Sequence, residues 1–301
     1  MNDPIHILDL QFLGISQTIA SYLLIGPEGP VLVETGPGST LPTLRKRLTA
    51  HGVAPEDIKH VLLTHIHFDH AGAAGWWAQQ GAQIYVHHFG ARHLIDPAKL
   101  IASATRIYGD KMDMLWGDIL PAPAEKVTLL HDGDTIFAGG LQFDVLETPG
   151  HARHHHVYRL GDIAFTGDAA GVAIPGANLV DLPAPPPEFD KEAWLATLDR
   201  LEAEKFQAIY PTHYGRVDDV SSHLAQLRDL IASGASFVKR SMDAGLGRDN
   251  ILARYLSWNG ERARKAGLDE QQIAQYMAAN PLDMSVDGIM RYWRKKMERD
   301  M

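Results

Sequence analysis

Four side chains that can bind a metal ion lie within six residues of one another, in the segment 64–72 with the sequence THIHFDHAG. They are His65, His67, Asp69 and His70. Neutral imidazole and carboxylate groups are ligands of zinc and its first-row neighbours. A regular strand cannot aim all four groups at one ion. In a tight loop that leads into a helix, they can divide between two ions about 3.5–4 Å apart, a spacing at which two metals share a bridging oxygen.

Three more candidate ligands lie one to four residues beyond the ends of other predicted strands. They are His151, Asp168 and His213, and the strands before them end at residues 147, 166 and 210. Because strand ends converge on one rim of a sheet, we expect these groups to lie beside the first four. A single histidine after a strand is more often structural than a ligand, but five histidines and two aspartates in such places predict a two-metal site. The carboxylate of Asp168 can bridge both ions.

The remaining histidines carry a weaker signal. The three at 154–156 adjoin His151, but the alternation of a strand points at least one of them elsewhere. His87 and His88 end a predicted strand, so we expect them either to contact the metal ligands without binding an ion or to lie at the surface.

Short apolar runs bounded by glycine and proline alternate with helical patterns before residue 218. The predicted strands are 5–10, 18–26, 31–35, 58–63, 83–87, 127–130, 134–137, 141–147, 155–160, 163–166 and 206–210. The predicted helices are 41–51, 71–80, 97–108, 111–120 and 191–203. Residues 171–190 hold five of the 17 prolines, which excludes a continuous strand there and predicts a long loop across one domain.

The pattern changes after residue 218, where apolar residues recur at helical spacing and no convincing strand is found. Residues 219–301 are predicted to form about four helices. They carry 13 Lys and Arg residues against 11 Asp and Glu residues, a net charge of +2, which leaves −11 for residues 1–218 out of the total of −9. We therefore divide the chain into a domain that holds the site, residues 1–218, and a C-terminal helical region, residues 219–301. An apolar stripe on the last helix needs burial, either on that domain or in a homodimer: Met284, Met290, Trp293 and Met297.

The composition limits the class of protein. The chain has 301 residues, no cysteine and a formal charge of −9, with 45% hydrophobic and 22% charged residues. These values indicate a globular chain, and the lack of cysteine excludes disulfides, thiolate metal sites and a cysteine nucleophile. The acidic balance argues against nucleic-acid binding. Without a basic leader or an uncharged apolar stretch of about 18 residues, the sequence predicts a cytoplasmic protein with no membrane segment.

The segment THIHFDHAG resembles the HxHxDH signature of the metallo-β-lactamase-fold hydrolases, a superfamily that includes glyoxalase II and the quorum-quenching lactonases. TPGH at 148–151, TGD at 166–168 and the surroundings of His213 resemble the later metal motifs of that family in the same order. The resemblance covers about residues 5–218. It implies an αββα sandwich of the α/β (α+β) class with the metals at one edge and, in this chain, a C-terminal helical extension.

The resemblance also implies a role for each ligand. His65, His67 and His151 would hold one ion, Asp69, His70 and His213 the other, and Asp168 would bridge them. At two places this chain departs from the motifs of particular subgroups of the family. The loop after Asp168 lacks the cysteine and lysine with which glyoxalase II helps to hold glutathione, and Gly171 stands where the small lactonases carry tyrosine. The long proline-rich loop and helical tail resemble the broad glyoxalase-II-like group.

The sequence and the resemblance together predict a metal-dependent hydrolase that uses a hydroxide bridging two divalent ions, most simply Zn²⁺, with Mn²⁺ or Fe²⁺ as alternatives. The substrate is expected to be a medium-sized ester, thioester or lactone. Asp69 would orient the hydroxide or take its proton, and Tyr108, Asn178 and Tyr214 are candidate substrate contacts. One alternative is a mononuclear iron dioxygenase of the same fold, which would use only His65, His67 and His151. The others are a phosphodiesterase or nuclease and a metal-bearing scaffold protein.

Overall fold

Two β-sheets share one core in the computed structural model of the protein, which describes residues 5–300. The first sheet has six strands in chain order: β1 (Ile5–Asp9), β2 (Ala20–Gly26), β3 (Gly29–Val33), β4 (His60–Leu62), β5 (Gln83–His87) and β6 (Val127–Leu130). The first three of these strands are antiparallel, and the pairs from β3 to β6 are parallel.

The second sheet has five strands: β7 (Thr135–Ala138), β8 (Leu141–Glu147), β9 (His156–Leu160), β10 (Ile163–Phe165) and β11 (Ala208–Tyr210). They lie in the order β11-β10-β9-β8-β7. Neighbouring strands are antiparallel except for β10 and β11, which are parallel. A parallel pair needs a crossover connection, and residues 166–207 provide it.

Alternation along the central strands assigns their side chains to two cores. In β3, Val31 and Val33 pack between the two sheets, whereas Leu32 packs against the outer helices. In β4, Leu62 and Val61 divide in the same way. A strand covered on both faces is apolar at successive positions, which is why the sequence predicts buried strands here.

Helices cover the outer face of each sheet. On the first sheet lie α1 (Leu41–Ala50), α2 (Phe68–Ala71), α3 (Ala74–Gln79), α4 (His88–Ile95), α5 (Ala98–Tyr108) and α6 (Met112–Trp116). On the second sheet lie α7 (Lys191–Glu204), α8 (Val220–Asp243), α9 (Arg248–Lys265) and α11 (Leu282–Asp300), and α10 (Glu270–Ala279) packs on the loop after β10. This layering confirms the αββα sandwich with a C-terminal helical extension.

The C-terminal helices and the second sheet belong to one hydrophobic cluster. Trp194 and Leu198 of α7 pack in the same cluster as Leu227 of α8 and Ile289 of α11. On the apolar stripe of α11, Met290 is buried and the indole N–H of Trp293 donates to the Ala235 carbonyl, whereas Met297 is exposed. The division of the chain at residue 218 and the homodimer remain predictions.

Two helices differ from the sequence prediction. The predicted helix 71–80 is two short helices, α2 and α3, because the Ala73 N–H donates to the Gly36 carbonyl and interrupts the helix. The predicted helix 111–120 ends at Trp116, because Gly117 takes a φ of +61° that other residues rarely adopt and packs against the backbone of Ser39.

Helix α4 is an addition to the predicted elements. It begins directly after β5, where the imidazole of His87 accepts a hydrogen bond from the Phe89 N–H and caps the helix. Sequence reasoning missed it because the usual capping residues are Ser, Thr, Asp and Asn.

None of the helices within residues 5–300 combines the length and the hydropathy that a membrane-spanning helix needs.

Candidate metal centre

The carboxyl ends of four strands meet at one edge of the sandwich, and the segments that follow them carry all seven predicted ligands. β4 leads to four of them, and the segments after β8, β10 and β11 provide one each: His65, His67, Asp69, His70, His151, Asp168 and His213. Five of the seven are buried, whereas His67 and Asp69 are half-buried. Imidazole and carboxylate groups from distant parts of the sequence therefore share one small volume.

The first group of ligands consists of three imidazoles. Nε2 of His65 and Nε2 of His151 each lie 2.9 Å from Nδ1 of His67. Three ring nitrogens thus converge on one point, and three nitrogen ligands with an open position are a set that a catalytic zinc ion accepts.

The second group lies on the other side of Asp168. Oδ2 of Asp69 lies 3.4 Å from Nε2 of His213 and 3.8 Å from Nε2 of His70. Asp168 lies between the two groups. Its Oδ2 lies 3.3 Å from Nε2 of His151 in the first group, and its Oδ1 lies 3.3 Å from Nε2 of His70 in the second. One carboxylate therefore presents an oxygen to each group, as a bridging ligand must.

Backbone carbonyls fix the orientation of two of the imidazoles. The Nδ1–H of His151 donates to the Pro183 carbonyl at 2.7 Å, and the Nδ1–H of His213 donates to the Thr18 carbonyl at 2.6 Å. Each bond sets the tautomer, so that the Nε2 lone pair points into the cluster.

Glu34 lies next to His70 of the second group and is linked to His65 of the first group through Thr64. Its Oε1 accepts hydrogen bonds from the backbone N–H and the hydroxyl of Thr64, and that hydroxyl in turn accepts from Nδ1–H of His65. The same oxygen lies 3.5 Å from Nδ1 of His70. Glu34 follows β3 with a φ of +63° and is fully buried.

The two groups differ in electrostatics. Burial, together with the neighbouring His151, lowers the pKa of His67 to about 3, so the ring is neutral at physiological pH. In the second group burial would lower the pKa of His70, but the carboxylates of Asp168, Asp69 and Glu34 outweigh it and raise that pKa well above its usual value. Conversely, burial would raise the pKa of Asp168, and the surrounding imidazoles hold it well below the ordinary range.

Unpaired polar atoms in the cluster test whether metal ions fit it. Within residues 5–300, both ring nitrogens of His70, Nε2 of His213 and Oδ1 of Asp168 are buried without a hydrogen-bond partner. A buried polar atom without a partner costs about 1–3 kcal/mol, so four in one place need an explanation. Cations between the two groups would coordinate all three side chains, and the donor set therefore fits divalent metal ions.

Three further residues support this cluster, of which sequence reasoning missed Glu34 and gave His154 and His155 only a weak signal. Glu34 falls inside the predicted strand 31–35, where a buried acid next to apolar residues was the available signal. His155 donates from Nδ1 to Thr148 Oγ1 and accepts the Asp168 N–H at Nε2, which holds the bridging carboxylate in place. His154 pairs with Glu188 at 3.2 Å beside the cluster.

A cavity of about 480 Å³ opens above the cluster, and we call it the metal-facing cavity. His67, Asp69, His151, Asp168 and His213 line its floor. Tyr108, one of the predicted substrate contacts, lies in its wall, and burial raises the pKa of this hydroxyl above its ordinary value.

The other two predicted substrate contacts lie elsewhere. Asn178 and Tyr214 line a separate cavity of about 540 Å³ that none of the seven ligands lines. For Asn178 the cause is a bridge between Val172 and Asp181, which turns the intervening loop away from the metal-facing cavity. The side chain of Asn178 instead accepts a hydrogen bond from Gln226 of α8. The structure does not bring these two residues to the metal cluster.

His87 and His88 form a third group of potential ligands with Glu147. Nε2 of His87 lies 3.2 Å from Oε1 of Glu147, and Nδ1 of His88 lies 3.2 Å from the Leu130 carbonyl. Because Nδ1 of His87 accepts the Phe89 N–H, the ring proton lies on Nε2 and faces Glu147. These hydrogen bonds already use the ring atoms that a metal ion would need.

Comparison with known proteins places most of the chain in one family. Residues 17–213 match the family model described as the metallo-beta-lactamase superfamily. A metallo-beta-lactamase fold-containing protein of Sulfurisphaera tokodaii is 27% identical over 212 residues, which are 68% of this chain and 77% of that protein. A hydroxyacylglutathione hydrolase of Salmonella typhi is 30% identical over 148 residues, 49% of this chain and 45% of that enzyme.

The solved structures give the same fold. A metallo-beta-lactamase family protein from Thermus thermophilus superimposes with a TM-score of 0.68 and 21% identity, covering 97% of this chain and 94% of that one. The superposition extends beyond residue 213, where the family match ends, and so includes most of the C-terminal helices.

Proposed function

The chain belongs to the metallo-beta-lactamase superfamily, and we propose that it is a hydrolase that uses two divalent metal ions to cleave an ester, thioester or lactone bond in a small molecule. The observation that carries the proposal is the position of Asp168. Its two oxygens lie 3.3 Å from imidazoles of different groups, and Oδ1 is buried without a hydrogen-bond partner. A cluster that held one ion would have no use for the second group.

Seven residues would hold the ions. His65, His67 and His151 form the first ligand group, Asp69, His70 and His213 form the second, and Asp168 lies between them. When bound, two divalent cations lower the pKa of a shared water towards neutrality and polarise a substrate carbonyl. The ligands are nitrogen and oxygen atoms, which suit Zn²⁺ most simply and also accept Mn²⁺ or Fe²⁺.

Two residues of the cavity act on protons in this proposal. The imidazoles around Asp69 lower the pKa of its carboxyl to about 2, against the effect of burial, so it is ionised at neutral pH. It is half-buried at the cavity floor, where it can orient the attacking water and accept its proton. Tyr108 stays protonated because burial raises its pKa, so its hydroxyl can donate to the departing oxygen or sulfur.

The lining of the cavity favours acyl substrates over phosphodiesters. Among the residues that line it in the described part of the chain, Lys99 is the one Lys or Arg, and it is exposed. Nucleic-acid and polyphosphate sites need several such cations.

The test is the metal content per chain of gently purified protein, paired with hydrolysis of an ester, a thioester, a lactone and a phosphodiester. We expect two zinc or manganese ions per chain, and hydrolysis that chelation abolishes and added metal restores. One iron per chain with oxygen uptake and no hydrolysis would support the mononuclear dioxygenase instead. A protein without stoichiometric metal would contradict both.

A further inference from the structure

Three large apolar side chains are exposed at the mouth of the metal-facing cavity. They are Leu13 after β1, Ile107 of α5 and Met277 of α10, and they are 45%, 52% and 64% exposed. We call these three residues the apolar rim. Single exposed apolar residues are ordinary, but three from distant parts of the chain around one opening mark a surface that a ligand covers.

The walls between this rim and the metal cluster are mostly apolar. They bring together side chains from distant parts of the chain, such as Phe12, Ile66, Leu100, Trp116, Pro183 and Pro281. The charges near this path are few. Glu188 is engaged by His154 and Arg153 at 3.2 and 3.1 Å, and Lys99 is exposed.

The C-terminal part of this wall is fixed to the proline loop by buried hydrogen bonds. Nδ2 of Asn280 donates to Oδ2 of Asp181 at 2.8 Å and to the Leu182 carbonyl at 3.0 Å. The hydroxyl of Ser285 donates to the same carbonyl at 2.9 Å. Met277 and Met284 lie on the two helices that flank this network, so their backbone positions are fixed before any ligand enters. Both lie beyond residue 213, so this wall is not part of the family match.

We propose that the metal-facing cavity binds the acyl chain of an uncharged ester or lactone, with the chain running from the metal cluster to the apolar rim. This inference rests on the proposed hydrolase function and adds the substrate class. An apolar chain matches most of the lining, although His93, Ser103 and Asn280 also contribute to it, whereas the several charges of a glutathione or nucleotide group would find few partners there. Methionine at two wall positions suits chains of varied shape, because its side chain is flexible and polarizable.

The test uses 4-nitrophenyl esters from acetate to decanoate with the metal-loaded protein. Each methylene that enters the cavity should raise kcat/KM about fourfold, the factor that corresponds to about 0.8 kcal/mol per buried CH₂. The rise should stop when the chain reaches the apolar rim. Equal kcat/KM for all lengths, in a protein that hydrolyses them, would overturn the inference and leave the hydrolase proposal intact.

Two variants place a charge on opposite sides of the mouth, M277E and I107E. Both residues are more than half exposed, so the fold should tolerate the change. We expect each to lower the octanoate-to-acetate ratio of kcat/KM at least tenfold at unchanged metal content. The matched control is M114E, because Met114 is 57% exposed and lies outside the cavity lining. An unchanged ratio in both rim variants would overturn the inference.

Two further outcomes separate the inference from its alternatives. If the protein holds two metals per chain and hydrolyses no ester of any length and neither the thioester nor the lactone of the panel, the hydrolase proposal fails, and the acyl-chain inference fails with it. If M277E converts a dimer into a monomer in light scattering, the apolar rim is an interface between copies of the chain, and the inference is overturned.

Discussion

The floor and the walls of the metal-facing cavity are built from different chemistry. The floor consists of charged and imidazole groups, most of them fully buried and several fixed by a further hydrogen bond, such as that from His151 to the Pro183 carbonyl. The walls consist mainly of aliphatic, aromatic and proline side chains, and three of them are exposed at the rim. The floor comes from strand ends inside the family match, whereas part of the wall comes from helices beyond it.

On the proposed function, the groups that would break the bond and the groups that would select the substrate are therefore different residues. A floor residue has several partners, so its replacement disturbs the whole cluster. A rim residue has few partners, so its replacement should change which ligands enter the cavity and leave the metal cluster intact. Four substitutions of decreasing expected effect distinguish the floor from the wall and the rim.

Replacement of the bridging carboxylate should have the largest effect. In Asp168→Asn the charge that faces both ligand groups is lost, so we expect metal affinity to fall by more than about 100-fold, beyond the range typical of supporting residues. Competition with a chromogenic chelator measures it. The matched control is Asp229→Asn, an exposed residue of α8. Two tightly bound metals in Asp168→Asn would contradict the bridging role.

Replacement of Glu34 should have the next largest effect. Glu34→Gln keeps the shape and an acceptor for Thr64 but removes the charge 3.5 Å from His70. We expect metal binding to weaken about 10–100-fold, as for other residues that orient metal ligands. The same chelator competition detects the change, and an affinity equal to that of the unmodified protein would show that Glu34 only fills space.

Replacement of the residue that joins the wall to the proline loop should affect stability more than metal binding. Asn280→Ala leaves Oδ2 of the buried Asp181 without its partner, so unfolding should become easier by about 1–3 kcal/mol. Denaturant unfolding followed by circular dichroism measures this, with Asn250→Ala, an exposed position in α9, as the control. A metal affinity that fell as far as in Glu34→Gln would break the separation of wall from floor.

Truncation of the rim should have the smallest effect on the fold. Met277 is 64% exposed, so Met277→Ala should change the free energy of unfolding by less than about 0.5 kcal/mol and leave the metal content unchanged. Thermal unfolding and metal analysis check both. A large loss of stability would show that Met277 is a structural residue.

The sequence predicted the floor better than the walls, for physical reasons. Strands are recognised from short apolar runs bounded by glycine and proline, and polar groups after their ends must share one edge, which located all seven proposed ligands. Glu34 was missed and His155 gave only a weak signal because their partners, Thr64 and the Asp168 N–H, are close only in the folded chain. The fold class and the family were confirmed, whereas the glyoxalase-II-like subgroup remains a prediction.

The walls depend on how distant elements dock, which periodicity does not encode. Met277 reaches the cavity because the turn between α10 and α11 hydrogen-bonds to the proline loop through Asn280. The predicted substrate contacts Asn178 and Tyr214 line a separate cavity, and for Asn178 the bridge between Val172 and Asp181 turns the loop away from the metals. Tyr108 lies in the wall of the metal-facing cavity, and its role as a substrate contact remains a prediction.

The most direct test of the two-metal floor is anomalous diffraction from crystals grown with zinc. We predict two peaks of similar height, one within reach of His65, His67 and His151 and one within reach of Asp69, His70 and His213, with the carboxylate of Asp168 between them. A single peak in the first group, or a principal peak at His87, His88 and Glu147, would contradict the account.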